Sequence, residues 1–474
     1  MRKIAVFCAL ALASFPALAL VSCKGGAKRR CQVQIEAEYF AEGRLEAEMR
    51  VCVVNNTENA LHEIPFALYG NAFCEDAEVP PVSDLFSSAC YYEGDSFGQM
   101  EIVNVEGGDF CLYEDKSLLT VDLYEPLYPD ESVELTISYT LTLARANHRL
   151  GVGEHCINLS YFYPMLFAQT NSGFYEYTPA SCGDPFTLDL ADFLVVLTVP
   201  EEYSVACGGE VEQRTESGKN VVTYQGEGVR EAAFVLGDFS KVSAVQNDVT
   251  VDYYYFADEN ADNTLQAACK AIATYSELFT AYPYKRFALA ESDLFLGGME
   301  YSGFVMISAL LSKKERVEVV AHEAAHQWWY GLVGSNQAEC AWQDEGLAQY
   351  CVALFYEQNP DYGQNYRELI ASSEGAYRNY FSVKSQLSKE VDTSMSRPLA
   401  SFAGDYEYRV LAYDKGVVLF DRLRSCLGNR RFFAALAKYA KTYAGCLATQ
   451  YDLIGCFPTQ EALCLSFVEG RCVI

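Results

Sequence analysis

A chain of 474 residues with 35 Lys and Arg against 64 Asp and Glu has a formal charge of −29, and such a surface repels the polyanion whose phosphates a nucleic-acid binder must neutralise. Half of the residues are apolar and 14% are aromatic, which excludes general disorder and supplies a sizeable core. The length provides for two or three domains.

Residues 1–3 make a short basic start and residues 4–21 an almost unbroken apolar run, which reads as an export signal over residues 1–22. The run closes on Leu20-Val21-Ser22-Cys23, which looks like the cleavage box of bacterial lipoproteins and implies cutting before Cys23 and lipidation of that residue. Residues 23–30 then form a lipidated linker in which Lys24, Lys28, Arg29 and Arg30 lie beside anionic headgroups. The expected location is outside the cytoplasm, on a membrane, facing the extracellular or periplasmic side; a soluble secreted protein is the alternative. No second run is long and apolar enough to span a bilayer. Without Cys8 and Cys23, sixteen of the eighteen cysteines remain. An even number permits disulfides outside the cytoplasm, and buried free thiols fit equally well.

Over residues 31–246 the apolar residues mostly alternate. Cys31-Val33-Ile35-Ala37 and Leu45-Ala47-Met49-Val51-Val53 flank the turn signal Glu42-Gly43, and Val133 to Leu143 repeats the pattern. Period two over many short segments predicts an all-β N-terminal domain. Beyond residue 246 the period changes. Residues 263–282 read as a helix stopped by Pro283, and Ser312-Lys-Lys-Glu315 is a capping box ahead of a helix predicted over residues 312–332. The fold class is therefore α+β and multidomain, with a mainly helical domain over residues 247–474.

The second predicted helix carries His322-Glu323-Ala324-Ala325-His326. Positions i and i+4 share one helix face, so both imidazoles reach one ion, while Glu323 approaches a water without binding the metal. Zinc in such a site needs a third protein ligand and an open fourth position. Glu345 is the candidate third ligand, in Ala341-Trp-Gln-Asp-Glu345-Gly-Leu-Ala at the start of another helical pattern. All three tryptophans, Trp328, Trp329 and Trp342, fall near this motif and are read as core packing around the metal helices.

Together with Gly297-Gly298-Met299-Glu300 upstream and Tyr413-Asp414-Lys415-Gly416 downstream, the arrangement resembles the aminopeptidase N family of gluzincin zinc metallopeptidases, which also includes leukotriene hydrolases. Tyr282-Pro283-Tyr284 and the stretch from Glu63 to Phe73 add to the resemblance. It implies a saddle-like β domain followed by a thermolysin-like catalytic domain holding one Zn2+ on His322, His326 and Glu345, with Glu323 as general base. It also implies that Tyr413 assists the tetrahedral intermediate, with Tyr406 and Tyr408 as rivals. Glu300 would bind the free α-amino group of a peptide substrate, and Gly297 and Gly298 would allow its backbone close approach. The implied reaction is zinc-dependent hydrolysis of the first peptide bond of oligopeptides.

Two departures qualify this expectation. Tyr301 stands where the family more usually has asparagine, and only 61 residues follow Tyr413 (474 − 413), where many members carry a helical domain over the site. A more open cleft makes a zinc endopeptidase the first alternative, and a non-catalytic peptide-binding protein on the same fold the second. No second acidic amine-binding residue stands out in the β domain.

Overall fold

The computed structural model describes residues 20–23, 26–175, 179–388 and 390–470. Of the predicted export signal it includes only the backbone of residues 20–22, and the side chain of Cys23 also lies outside the described residues. An all-β half precedes a mainly helical half, as the two periodicities predict.

Cys31–Phe40 and Arg44–Val54 form the predicted hairpin, pairing Glu36 with Glu48. Along both strands every second side chain is buried, the arrangement that alternation produces when one sheet face is covered. They lie at the centre of a seven-stranded sheet, where Ala191–Pro200 runs parallel to Cys31–Phe40 and Ser132–Thr142 antiparallel to Arg44–Val54. Two four-stranded sheets complete the β domain.

A five-stranded sheet joins the halves. Its spatial order is Ser240–Gln246, Val249–Tyr255, Arg286–Ser292, Phe304–Ser308 and Gly298–Tyr301, with the three central strands parallel. Ser240–Gln246 pairs antiparallel with Val249–Tyr255 across the Asn247-Asp248 turn, so this sheet takes strands from both sides of residue 246. Ala288, Ala290, Phe304 and Met306 belong to the β-domain core, whereas Phe287, Leu289, Val305 and Ile307 belong to the helical core. The sheet is thus covered on both faces, and its edge strand Gly298–Tyr301 borders the metal helix.

The predicted helix over 263–282 spans Ala261–Leu278 instead. Its last turn is lost because Phe279 swings its ring onto Trp329, 4.8 Å between centroids. The metal helix is Lys313–Ala325, begun by the predicted capping box: Glu315 N–H donates to Ser312 Oγ and Ser312 N–H to Glu315 Oε2. It stops at His326, six residues short of the expected end. Residues 327–332 make a widened turn in which Trp329 and Tyr330 leave helical geometry. Tertiary packing ends the helix. Trp328 seats on Tyr275 and Tyr282, Trp329 on Phe279 and Tyr439, and Gln327 bonds the hairpin at Tyr301 O and Gly303 N. All three tryptophans are buried.

Cys90, Cys156, Cys207, Cys269, Cys351 and Cys464 are buried free thiols. Among those residues no helix is long and apolar enough to cross a membrane.

Candidate metal centre

His322 and His326 project from the last turn of Lys313–Ala325, and Glu345 from the first turn of Trp342–Gln358. Two contacts hold these helices in place. Arg316 donates to Glu291 at 3.0 Å and to the Tyr253 hydroxyl at 3.0 Å, tying the metal helix to the sheet. Gly346 and Gly416 bring Trp342–Gln358 and Lys415–Leu427 into backbone contact, where a Cβ on Gly416 would stand 2.6 Å from Gly346 Cα. That approach delivers Tyr413 to the residue beside Gly346, which is Glu345.

The donor atoms converge. His322 Nε2 and His326 Nε2 are 3.1 Å apart, and Glu345 Oε2 lies 3.2 Å from the first and 3.3 Å from the second. Ligands placed tetrahedrally about one ion at about 2.0–2.1 Å stand about 3.3 Å from one another. The cluster therefore has the dimensions of three corners of a zinc site, and its two imidazoles and one carboxylate are a zinc donor set. The other ring nitrogens are engaged. His322 Nδ1 meets Gln349 Oε1 at 2.9 Å and His326 Nδ1 meets the Trp329 carbonyl at 3.3 Å. Each Nδ1–H donated outward leaves the Nε2 lone pair facing the cluster.

Sequence reasoning missed both partners. Gln349 was within reach of it, because it lies four residues after Glu345 on the same helix face. The Trp329 carbonyl was not, since it turns to His326 only through the widened turn.

Glu323 is buried, and its Oε2 has no hydrogen-bond partner among the described residues. Burial outweighs the nearby imidazoles and pushes its carboxyl up to about 7. Its other oxygen explains Gly298, where a Cβ would lie 2.6 Å from Glu323 Oε1. Gly297 has a separate reason, a φ of +38°, in the region that disfavours side chains. Burial also pushes Glu345 up, but the hydrogen bonds with His322 and His326 outweigh it and hold the carboxylate below its ordinary range.

Glu300 is buried on the edge strand, with Gln337 Nε2 at 3.4 Å and His326 Nδ1 at 3.9 Å. Burial holds its carboxyl well above the ordinary range. Asp184, from the β domain, adds negative charge felt by both Glu300 and Glu323 and is itself paired with Arg149. It is the acidic β-domain neighbour that the sequence did not single out. Tyr301 points the other way: its hydroxyl bonds Ser160 of the β domain. The replacement of asparagine thus serves packing between domains and leaves Glu300 in the cluster.

Among the tyrosines, Tyr413 stacks on His322 at 5.7 Å with 9° between ring planes. Burial first, and Glu345 second, push its hydroxyl up, so it remains a proton donor. Tyr408 donates to Glu345 Oε1 at 3.4 Å. Tyr406 is 61% exposed and is not part of the cluster.

Comparison with known proteins bears on this centre. Residues 263–466 match the peptidase family M1 domain. Aminopeptidase M1-B of Oryza sativa subsp. japonica is 26% identical over 283 residues, covering 56% of this chain and 32% of that protein. Endoplasmic reticulum aminopeptidase 1 of Rattus norvegicus is 28% identical over 234 residues, covering 45% and 24%. The matches thus span about a third or less of the length of these relatives. The M1 zinc metallopeptidase of Deinococcus radiodurans shares the fold at a TM-score of 0.67 and 20% identity, over 96% of this chain and 97% of that one.

Proposed function

We propose that this chain, which carries a peptidase family M1 domain over residues 263–466, is an exported zinc aminopeptidase that hydrolyses the first peptide bond of oligopeptides. The observation that carries this reading is the set of three donors 3.1 to 3.3 Å apart beside the unpartnered oxygen of Glu323. His322, His326 and Glu345 hold one zinc per chain, and the ion supplies Lewis acidity towards a water and the scissile carbonyl. Glu323 removes a proton from the attacking water and returns it to the leaving amine.

Glu300 pairs with the α-ammonium of the substrate. Burial holds its carboxyl high while no ammonium is present, and the arriving cation supplies the charge that the pocket lacks. An amine fixed there measures one residue from the chain end. Among the described residues Gly298–Tyr301 has a sheet neighbour on one side only, so an extended peptide can lie along its free edge. Gly297 and Gly298 keep the start of that strand free of side chains.

Tyr413 donates to the oxyanion that forms as the carbonyl is attacked. Tyr413→Phe is expected to lower kcat by about 10²–10³ with zinc content unchanged. Tyr408→Phe should cost less, because it is the Tyr413 ring that stacks on the ligand His322. Equal losses in the two variants would remove the distinction.

Matched peptides with free and acetylated amino termini, assayed with zinc and after chelation, test the reading as a whole. Zinc-dependent release of the first residue from the free peptide alone is the expected result. Internal cleavage of the acetylated peptide would replace the aminopeptidase with an endopeptidase, and stoichiometric zinc without turnover of either would make the protein a peptide binder.

The location follows from the sequence of the amino terminus. An export signal over residues 1–22 and a lipid on Cys23 would hold the enzyme on the outer side of a membrane, where peptides are its substrates. Cys23→Ala is expected to move the protein from the membrane to the soluble fraction of lysed cells; retention with the membrane would rule out the lipid anchor.

A further inference from the structure

Residues 80–86 of the β domain leave their own sheets and cross to the catalytic half at two points. On one side Phe86 packs on Phe295, 5.7 Å between ring centroids. Phe295 is fastened in turn: its N–H donates to Asn147 O at 3.0 Å and its ring stacks on His148. It stands just before Gly297, so this foot rests on the segment that enters the glycine strand. On the other side Ser83 Oγ donates to Asp405 Oδ2 at 2.7 Å, across 322 residues of sequence. Asp405 opens the short helix that ends in Tyr408.

The middle of the segment is held as well. Pro81 and Val82 are buried, and the ring of His148 bonds the Pro81 backbone. Nearby, a Cβ on Gly183 would lie 2.9 Å from the Tyr408 hydroxyl, and Gly183 adjoins Asp184, whose charge reaches Glu300. The segment therefore links Phe295, just ahead of the Gly298–Tyr301 strand, with Asp405, at the start of the short helix that ends in Tyr408.

We propose that residues 80–86 roof the pocket for the side chain of the substrate's first residue, and that the Ser83–Asp405 hydrogen bond sets the largest side chain the pocket admits. The inference rests on the aminopeptidase reading. With its amine on Glu300 and its carbonyl at the metal, a bound first residue is pinned to the strand wall and the floor of the cleft. Its side chain is left to project between the walls, towards the span. A roof fastened by one side-chain hydrogen bond yields when that bond is removed, and the space beneath it grows.

The test compares wild-type full-length protein with Ser83→Ala, Asp405→Ala and Ser83→Thr, using tripeptides that differ only in a first residue of Ala, Leu or Trp. Both alanine variants should raise the Trp-to-Ala ratio of kcat/KM about tenfold, the scale of one net hydrogen bond. The gain should come through KM of the Trp peptide, with kcat for the Ala peptide and zinc content unchanged. Ser83→Thr keeps the hydroxyl and should keep the wild-type ratio, which a general loss of packing would not do. A ratio within about twofold of wild type in both alanine variants overturns the roof and leaves the aminopeptidase standing. Zinc-loaded wild type that releases no first residue from any of the peptides overturns the aminopeptidase reading and the roof with it. Both alanine substitutions only remove atoms at half-buried positions, so retention of the fold is expected and is read from zinc content.

Discussion

Glu323→Gln is expected to leave zinc bound at one per chain and to lower kcat by about 10³–10⁴, the upper part of the range for loss of a general acid–base group. The substitution preserves shape, and Glu323 contributes no atom to the three-donor cluster, so the ligands have no reason to move. What is lost is the capacity to take a proton and give it back. An amide cannot act as base at any accessible pH. The geometry makes the loss specific, because Glu323 Oε2 is buried without a partner among the described residues and no structural hydrogen bond is sacrificed there. KM for a free-amine peptide should change little, since in the proposed function it is Glu300 that holds the ammonium. Measured together, metal content, KM and kcat separate the two roles: a variant as active as wild type would remove Glu323 as base, and one without zinc would show that it supports the ligands.

The legible part of this site is what helical periodicity carries. His322 and His326 face one way because four residues make about one turn, and the capping box at Ser312 marks where that turn count begins. The end of the same helix was not legible. The apolar pattern continues through Trp328 and Trp329, yet both indoles are claimed by aromatic partners distant in sequence, Tyr275 and Tyr282 for the first, Phe279 and Tyr439 for the second. Alternation likewise identified strands without their neighbours, because period two reports which side of a strand is buried and says nothing of what lies beside it. Ala191–Pro200 beside Cys31–Phe40 is such a case.

The β-domain contribution was hidden for the same reason. Asp184, Arg149 and Ser83 lie outside any periodic pattern, and each acquires its meaning from a contact with a distant residue. Tyr301 shows the converse. Against the pattern that the glycine motif resembles it is a departure beside Glu300, whereas its contacts are with Ser160 and Tyr161 on the opposite side. A residue one position from Glu300 on a strand points away from it, so the two can change independently.

Glu345→Ala is expected to abolish activity by emptying the metal site. Loss of a partner behind a ligand costs about 10–100-fold in metal affinity, and loss of the ligand itself removes a bond as well as the only negative charge among the three donors. The remaining imidazoles, 3.1 Å apart at Nε2, are both neutral when they ligate, so the ion would keep its full charge in a buried setting. Affinity should therefore fall by more than about 100-fold. Linkage gives a second readout that does not depend on turnover. Saturating zinc at about 100 times the wild-type Kd adds about 2.7 kcal/mol to the stability of the native state, and a variant whose Kd has risen past that concentration gains almost none of it. Thermal unfolding with and without zinc should thus show a shift for wild type and for Glu323→Gln, and little or none for Glu345→Ala. If Glu345→Ala retained both stoichiometric zinc after dialysis and the zinc-dependent shift, the third ligand would have to be sought elsewhere, and Glu300, which with Glu323 and His326 forms the other acidic cluster at this centre, would be the first residue to examine.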